Sequence, residues 1–254
     1  MNINSYLGLL GNTFSITRNN ETKYKQYLIL DPVGTFVVPW TDYVINLDAD
    51  SILATEYALR LIAYLEKPEN HHVAIVQTPY KAFPNAPSLL EHVAGATTDV
   101  QHLIHQGFTF YNATFWVGAN AVLRMKALKD IEIVDCEQDH PILRYIQDRT
   151  VIEDTESTID LICKGWKLYN YPASLAYSAT PPDFGSLLIQ RQRWANGGLI
   201  IFSKLIKISF INILIVKTDM SQNNQSDILK KVTDTIDELF NCDKNTTAIL
   251  ELHS

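Results

Sequence analysis

Apolar and polar positions along the chain follow two periods, and the change from one to the other predicts where strands and helices lie. Short apolar runs bounded by turn residues indicate buried strands, whereas apolar residues three or four positions apart indicate helices that cover a sheet. Strands are predicted at 26–30, 34–38, 42–48, 73–77, 108–116, 119–124, 166–171 and 174–177. Helices are predicted at 55–66, 88–106, 141–147, 153–164 and 183–202. This alternation predicts an α/β fold with a mostly parallel sheet flanked by helices.

Residues with capping chemistry mark several of the predicted helix ends. Pro87 or Ser88 is predicted to begin the helix at 88–106, and Gly107 to follow its end. Gly165 is predicted to occupy the C′ position after 153–164, because glycine adopts a left-handed backbone at little steric cost. The segment 181–183, Pro-Pro-Asp, is predicted to open the last helix.

Two acidic residues, Asp48 and Asp50, end the apolar run at 42–48. Side chains two positions apart on an extended chain point the same way, so both carboxylates could face one ion. Open α/β sheets place ligands at the carboxyl ends of strands, and Mg²⁺ or Mn²⁺ commonly shares its site with substrate phosphates. The pair is therefore a predicted site for Mg²⁺ or Mn²⁺ and a diphosphate. The alternative is an acidic turn without a ligand.

A second acidic motif, Glu153-Asp154, opens the helix predicted at 153–164. A carboxylate whose pKa is raised by a nearby like charge suits a general base that takes a proton from an attacking hydroxyl. The alternative is simple complementation of the helix dipole, since acidic residues favour the first turn.

The third motif contains an amide, a guanidinium and an indole, on Gln190, Arg193 and Trp194. These residues stand at i, i+3 and i+4, so on a helix they share one face. A guanidinium can stabilise a leaving phosphate, and an indole can stack on a sugar ring. The alternative is an ordinary amphipathic helix with Trp194 in the core.

The order of these motifs resembles that of the processive family-two glycosyltransferases, the cellulose synthase-like enzymes. Their marks are D-x-D, then T/E-E-D, then Q-x-x-R-W, and the likeness covers about residues 41–202. The resemblance implies a GT-A-like (Rossmann-like) fold and an inverting transfer of a hexose. It implies that Asp154 is the general base, with Glu153 as its neighbour at the helix start.

The resemblance also implies which residues bind the two substrates. It assigns Arg193 to the donor's diphosphate, together with Asp48 and Asp50, and places Gln190 nearby. The stretch Phe-Trp-Val-Gly-Ala-Asn-Ala at 115–121 looks like the family's aromatic-x-Gly-x-Asn-Ala segment near the acceptor. The acceptor-binding candidates are Trp194, Trp116, Gly118 and Asn120.

A possible separate metal site is formed by Asp99, His102 and His105, which fall at three-residue spacing within a predicted helix. Imidazole suits transition metals. Three ligands on one helix stripe rarely close around an ion without help, so a surface or acceptor-groove role is the favoured interpretation.

Composition limits the remaining classes of function. A formal net charge of −7 gives no electrostatic reason to expect nucleic-acid binding. Cys136, Cys163 and Cys242 are far apart, with neither zinc-site spacing nor a disulfide framework, which predicts a reduced, cytosolic environment. The first 20 residues lack the basic start and apolar run of a signal peptide.

The longest apolar stretch, 199–216, has nearly the length of a membrane span. Lys204 and Lys207 share one helix face, and two lysines in the middle of a lone span would be costly. An amphipathic helix lying in the membrane surface is therefore predicted, with a buried amphipathic helix as the alternative. The family resemblance places it at the cytoplasmic face of the inner (plasma) membrane.

Four segments are predicted from these patterns. Family members carry a nucleotide-binding half ahead of D-x-D that residues 1–40 do not resemble, so we expect an N-terminally truncated catalytic half. The tail begins polar and then shows one amphipathic helical pattern from 226 to about 240. The segments are a poorly matched 1–40, a catalytic and acceptor half at 41–198, the interfacial helix at 199–216, and an unassigned tail at 217–254.

The leading interpretation is an inverting glycosyltransferase that moves a hexose from a nucleotide diphosphate sugar to a growing β-glycan. The resemblance implies UDP-glucose as donor, metal-assisted departure of UDP and base-assisted attack. The first alternative is a catalytically inactive fragment that acts as a glycan- or partner-binding module. The second is a nonprocessive transferase that makes a glycolipid or an oligosaccharide.

Overall fold

The computed structural model describes residues 2–18, 26–137, 140–148 and 150–218. The chain divides into two compact units, Met1–Arg193 and Trp194–Ser254. The helices are α1 (Asn2–Leu9), α2 (Tyr57–Leu65), α3 (Leu89–Phe110), α4 (Met125–Asp130), α5 (Glu153–Cys163) and α6 (Phe184–Thr218), with a 3₁₀ turn at Pro68–Asn70. The strands are β1 (Thr13–Arg18), β2 (Gln26–Leu30), β3 (Phe36–Val37), β4 (Tyr43–Asn46), β5 (Ile52–Leu53), β6 (Val73–Gln77), β7 (Tyr80–Ala82), β8 (Ala121–Arg124), β9 (Ile133–Glu137), β10 (His140–Arg144), β11 (Lys167–Asn170) and β12 (Ala176–Ser178).

The central sheet of the first unit has four strands in the order β11-β6-β8-β4. The predicted α/β class is confirmed, but the sheet is mixed rather than mostly parallel. Strands β11 and β6 run parallel, whereas β8 is antiparallel to both β6 and β4. Three smaller sheets accompany it, in the orders β2-β1-β3, β10-β9 and β5-β12-β7.

The direction of β8 follows from the loop that precedes it. The Gln77 side chain, at the end of β6, donates to the carbonyl of Phe115 and accepts the amide of Val117. Ala121 then pairs with Gln77 at the start of β8. The loop thus returns the chain to the edge where β6 ends, so β8 must run back antiparallel.

Two apolar clusters flank the central sheet. Residues Tyr57, Leu61 and Leu65 recur every four positions on α2 and are almost wholly buried, which is the stripe expected of a helix that covers a sheet. They pack in one cluster with Val76 and Val122. The second cluster contains Leu7, Ala74, Ile75, Trp116, Ala121, Leu123, Met125, Ala127, Leu128, Ile131, Tyr145, Ile146, Leu161, Trp166 and Leu168.

The N-terminal segment belongs to the first unit, although its sequence pattern is poor. Asn4 on α1 is 4% exposed, and its side chain donates to the carbonyl of Ile146 and accepts the amides of Tyr145 and Ile146. Leu7 lies in the larger apolar cluster. These contacts over more than 140 positions tie α1 to the segment before α5, a link that local pattern does not reveal.

Two predicted elements are wrong. A strand is predicted at 108–116 after Gly107, but α3 continues through Gly107 to Phe110 and ends where Asn112 takes a left-handed φ of 53°. A helix is predicted at 141–147, but this segment begins as β10, because it pairs antiparallel with β9. In both places, long-range packing overrides local pattern.

The capping predictions at Ser88 and Gly165 are confirmed. Ser88 forms a capping box with Glu91: its hydroxyl accepts the Glu91 amide at 3.2 Å, and the Glu91 carboxylate accepts the Ser88 amide at 3.0 Å. Gly165 follows α5 with φ of 84°, and its amide donates to the carbonyl of Ile162 at 2.9 Å.

The last helix, α6, begins after Asp183, whose carboxylate accepts the amide of Ser186 at 2.9 Å. It runs without a break through the apolar stretch 199–216, so the predicted division at 198/199 falls inside one helix. No helix among the described residues is long and apolar enough to cross a membrane. The predicted helix at 226–240 and Cys242 lie outside the described residues, and Cys136 and Cys163 are exposed and not joined in a disulfide.

Candidate active site

The carboxylate pair lies in an exposed turn at the carboxyl end of β4, and Asp48 is two positions beyond the strand. The amide of Ser51 donates to the carbonyl of Asp48 at 3.0 Å and closes the turn. Ser178, the last residue of β12, donates from its hydroxyl to Asp50 Oδ1 at 3.1 Å and lies 3.2 Å from the Ser51 hydroxyl. Both carboxylates therefore face solvent, and the hydrogen bonds of Ser51 and Ser178 hold the turn in place.

Charges from all three motifs act on Asp48. The surrounding protein partly desolvates this exposed side chain, which raises its pKa, and the negative charges of Asp50 and Glu153 raise it further. The positive charge of Arg193 acts in the opposite direction. The structure therefore brings the acidic pair, the start of α5 and the guanidinium of α6 within electrostatic reach of each other.

Asp154 is partly buried in the first turn of α5. Its Oδ1 accepts the amide of Thr155 at 2.6 Å and lies 3.3 Å from the Thr155 hydroxyl. Burial raises the pKa of Asp154 to about 6; the hydrogen bonds from Thr155 lower it, and the charge of Glu153 raises it. A carboxylate with such a pKa exchanges its proton near neutral pH, as a general base must.

The backbone of Gly118 lies close to the other carboxylate oxygen of Asp154, Oδ2. It has a left-handed φ of 87°, and a Cβ at this position would lie 2.7 Å from Asp154 Oδ2. The Asn46 side chain, at the end of β4, donates to the Gly118 carbonyl. Only glycine satisfies both the backbone angle and the close approach, and Asn46 joins the strand of the acidic pair to the loop beside Asp154.

Two predicted acceptor residues, Trp116 and Asn120, lie in the interior. The Trp116 side chain is 2% exposed and packs in the larger apolar cluster, and Asn120 is fully buried with φ of 50°. Tyr57 donates from its hydroxyl to the Asn120 carbonyl. An acceptor cannot reach either side chain in this arrangement, so their predicted acceptor contact is corrected: both support the loop that carries Gly118.

The residues of the third motif occupy different environments on α6. Arg193 is exposed and acts on Asp48, whereas Arg191 donates to the Thr97 hydroxyl on α3 at 3.1 Å. Gln190 is half-buried. Trp194 is half-buried and begins the second unit.

The histidines of α3 are buried core residues. His102 and His105 are 7% and 2% exposed, while Asp99 on the same helix is exposed. Burial lowers the pKa of both histidines, that of His102 to about 4 with a contribution from His105. Within the described part of the chain, no three His, Cys, Asp or Glu side chains are placed to hold a metal ion. The predicted acceptor-groove or surface role is also wrong for these rings.

Sequence reasoning missed Tyr80, which begins β7 three positions after β6 ends. Its ring meets that of His102 edge-on with centroids 5.0 Å apart. Burial raises its pKa, and the charges of Asp48, Arg191 and Asp50 also act on it. Tyr80 therefore lies beside the acidic turn, and its place just beyond a strand's carboxyl end was the signal that could have indicated this.

Comparison with known proteins identifies the family. The sequence profile described as "Glycosyl transferase family group 2" matches residues 43–223. The chain is 29% identical over 157 residues to a UDP-forming cellulose synthase of Dictyostelium discoideum, a match that covers 62% of this chain and 14% of that protein. It is 26% identical over 166 residues to the UDP-forming cellulose synthase 1 of Komagataeibacter xylinus, covering 63% of this chain and 20% of that protein. Both of these relatives are catalytic chains of cellulose synthases by name.

A plant relative extends the matched region. The chain is 24% identical over 190 residues to glucomannan 4-beta-mannosyltransferase 9 of Arabidopsis thaliana, covering 74% of this chain and 33% of that protein. It thus spans a third or less of the length of these three relatives. The predicted resemblance is confirmed, and the α/β architecture is consistent with a GT-A-like domain. This chain belongs to glycosyl transferase family group 2.

Proposed function

We propose that the chain is the catalytic and acceptor part of an inverting glycosyltransferase that transfers a hexose from a nucleotide diphosphate sugar to a growing β-glycan. The observation that carries the proposal is the convergence at Asp48, where the charges of Asp50, Glu153 and Arg193 act on one carboxylate. Three motifs that are far apart in sequence thus meet at the carboxyl edge of the central sheet, where α/β folds bind ligands.

In the proposed reaction, Asp154 takes the proton from the acceptor hydroxyl while that oxygen attacks the anomeric carbon of the donor. The sugar–phosphate bond breaks as the new glycosidic bond forms, and the nucleoside diphosphate leaves with the bonding electrons. A single displacement of this kind inverts the anomeric configuration. A pKa of about 6 leaves Asp154 ionised at neutral pH yet basic enough to accept a proton.

Asp48 and Asp50 fit a divalent cation that is shared with the donor's diphosphate. Their like charges raise the pKa of Asp48, and a cation would relieve this repulsion. Two exposed carboxylates leave the remaining ligand positions to phosphate oxygens and water, as Mg²⁺ and Mn²⁺ prefer. The ion would neutralise charge on the departing diphosphate. Arg193 contributes a fixed positive charge on the same side, and Gln190 lies one turn before it.

The proposed donor is UDP-glucose, which fits the UDP-forming cellulose synthases among the relatives. The mannosyltransferase relative makes the mannose nucleotide the competing donor to be measured. On the acceptor side the proposal retains Gly118, whose backbone adjoins Asp154, and Trp194 as a stacking platform.

A position at the cytoplasmic face of the plasma membrane is part of the proposal. Within the second unit, Leu199, Ile200, Phe202 and Leu205 are all exposed, and the largest exposed fraction is 73% for Leu199. Leu199, Phe202 and Leu205 are spaced three positions apart and share one helix face, and an apolar face open to solvent suits burial in the headgroup region of a bilayer.

Calorimetric titration of the full chain with UDP, with and without Mn²⁺, tests the function. We expect metal-dependent binding that Asp48→Ala abolishes and Asp42→Ala retains, because Asp42 is an exposed acid at the opposite end of the same strand. Transfer from UDP-glucose would then be assayed, and product length would separate a processive from a nonprocessive enzyme. Absence of UDP binding in either condition would reject the donor site and leave a glycan- or partner-binding module.

A further inference from the structure

Two buried amide side chains lie next to each other where two strands of the central sheet end. Gln77 and Asn170 are the last residues of β6 and β11, and they are paired in the parallel register. They are 2% and 6% exposed. The Gln77 Nε2 donates to Asn170 Oδ1 at 2.6 Å, so the two amides form one interior pair.

Gln77 uses its remaining hydrogen-bonding capacity on the loop between α3 and β8. Its Nε2 donates to the carbonyl of Phe115 at 2.7 Å, and its Oε1 accepts the amide of Val117 at 3.0 Å. One side chain thus binds the loop backbone on both sides of Trp116. This two-point contact fixes the position and the direction of the loop.

Asn170 supports this arrangement from behind. Its Nδ2 lies 2.9 Å from the His105 carbonyl, and 2.8 Å and 2.5 Å from the hydroxyls of Thr109 and Thr114. These groups belong to the last turns of α3 and to the start of the loop. Asn170 is therefore held in one orientation, and it presents its Oδ1 to Gln77.

The same loop contacts α5 at the proposed base. The amide of Trp116 donates to the Thr158 hydroxyl at 3.0 Å, and that hydroxyl lies 3.0 Å from the Asp154 carbonyl one turn earlier. Two residues further along the loop, Gly118 closes against Asp154 Oδ2. The position of the loop thus decides how much solvent reaches the Asp154 carboxylate.

The burial of the polar side chains of Gln77 and Asn170 in the sheet core needs a physical explanation. Desolvating an amide is costly unless each of its groups is paired, and an apolar residue could fill the same space in a sheet core. Gln77 does what an apolar residue cannot do, because it accepts from one loop backbone group and donates to another.

We propose that Gln77, held by Asn170, is a positioning residue: it fixes the loop at 115–117 so that Gly118 covers the carboxylate of Asp154. The role as base that Asp154 has here rests on the proposed function. The positioning itself is a property of the folded chain and needs neither donor nor turnover.

The test replaces Gln77 with the apolar side chain of most similar length, Gln77→Met, in the full chain. Two readouts follow the loop and the carboxylate: hydrogen exchange of the Trp116 amide, and titration of the Asp154 carboxyl by ¹³C NMR. We expect exchange at Trp116 to accelerate by about tenfold or more, since the loop loses the two bonds from Gln77 to Phe115 and Val117 that hold the Trp116 amide against Thr158. The pKa of Asp154 should fall from about 6 towards the ordinary aspartate value as water enters.

Gln147→Met is the matched control. Gln147 is 7% exposed, and its Nε2 donates to Asp160 at 3.0 Å near the other end of α5, so it shares the helix but not the loop. We expect this variant to leave both readouts at their wild-type values. Equal changes in the two variants would mean general loosening of α5 and would overturn the proposal.

Gln77→Glu keeps the inference testable if the methionine variant does not fold. A protonated glutamic acid retains the acceptor for Val117 and one donor, whereas an ionised one places a negative charge opposite the Phe115 carbonyl. Relative to wild type at the same pH, exchange at Trp116 should therefore be normal in acid and accelerated once the glutamate ionises. A ratio that does not change with pH would overturn the proposal. Failure of UDP binding would leave both readouts available, so the two proposals can fail separately.

Discussion

Asp154 and the pair Asp48 and Asp50 occupy different environments although they lie at one edge of the sheet. Asp154 is partly buried, capped by Thr155 and covered by Gly118, and burial is the main cause of its raised pKa. Asp48 and Asp50 lie in an exposed turn. The contrast separates two kinds of chemistry: a base needs restricted solvent to tune its proton affinity, whereas a cation and diphosphate site needs open carboxylate oxygens.

Asp154→Asn should have the largest effect, because it removes the proposed base but keeps the shape of the side chain. We expect sugar transfer to fall by about 10²–10⁴-fold while UDP binding persists, measured as turnover and by calorimetry.

The same variant should be more stable than wild type at pH 8, by about 1–2 kcal/mol in urea unfolding. Burial raises the pKa from 3.8 to about 6, so the folded wild type pays for an ionised Asp154.

The sign of this stability effect defines its control. Between about pH 4 and 6 the unfolded chain releases this proton before the folded chain does, so the wild type loses stability as pH rises through that window. The difference between variant and wild type should therefore vanish near pH 4. If Asp154→Asn were less stable than wild type at pH 8, the folded state would stabilise the ionised carboxylate. That result would contradict the view that burial disfavours the charge on Asp154.

Gly118→Ala should destabilise the buried side of the site. The added Cβ would lie 2.7 Å from Asp154 Oδ2, at a residue with φ of 87°. We expect the free energy of unfolding to fall by about 2–4 kcal/mol from backbone strain and steric overlap together. Gly165→Ala is the matched control, because φ is 84° there but no atom lies within 4 Å of the added carbon. Gly165→Ala should lower the free energy of unfolding by about 1–2 kcal/mol, from backbone strain alone. Equal losses of stability in the two variants would rule out the close approach of Gly118 to Asp154.

The pattern of success and failure in the sequence predictions has a physical cause. The predicted helix start at Ser88 and the predicted helix end at Gly165 depend on neighbours three or four positions away, and both are confirmed. The burial of Trp116 depends on packing among distant elements, so an aromatic residue that resembled part of an acceptor site lies in the core. The bond from Asn46 to Gly118 spans 72 positions. Motif order identified the family, whereas the contacts around Asp154 required the folded chain.

Two arginines extend the comparison to the positive charges. Arg124 donates to the carbonyls of Val73 and Leu65 at 3.0 and 2.8 Å and to the Tyr43 hydroxyl at 2.9 Å. Arg193 is exposed beside Asp48. Arg193→Ala should therefore weaken UDP binding by about tenfold or more and leave stability within about 0.5 kcal/mol. Arg124→Ala should lower stability by about 2–3 kcal/mol without changing UDP affinity in the folded protein. Calorimetry measures the affinity for UDP and urea unfolding measures the stability of both variants. A large loss of stability in Arg193→Ala, or a loss of UDP affinity in Arg124→Ala, would contradict this assignment.

Ser178→Ala should have the smallest effect, and it tests whether the exposed pair is loosely held. Ser178 is 5% exposed and donates to Asp50 Oδ1 at 3.1 Å, so its removal should cost about 1 kcal/mol of stability. Water can replace the lost donor at an exposed carboxylate, so we expect UDP affinity in Mn²⁺ to change by less than about threefold. Ser186→Ala, which removes an exposed serine–aspartate bond at the start of α6, should leave affinity unchanged. If Ser178→Ala weakened binding as much as we expect of Asp48→Ala, the acidic turn would need fixed geometry, as Asp154 does, and the two sites would differ only in solvent exposure.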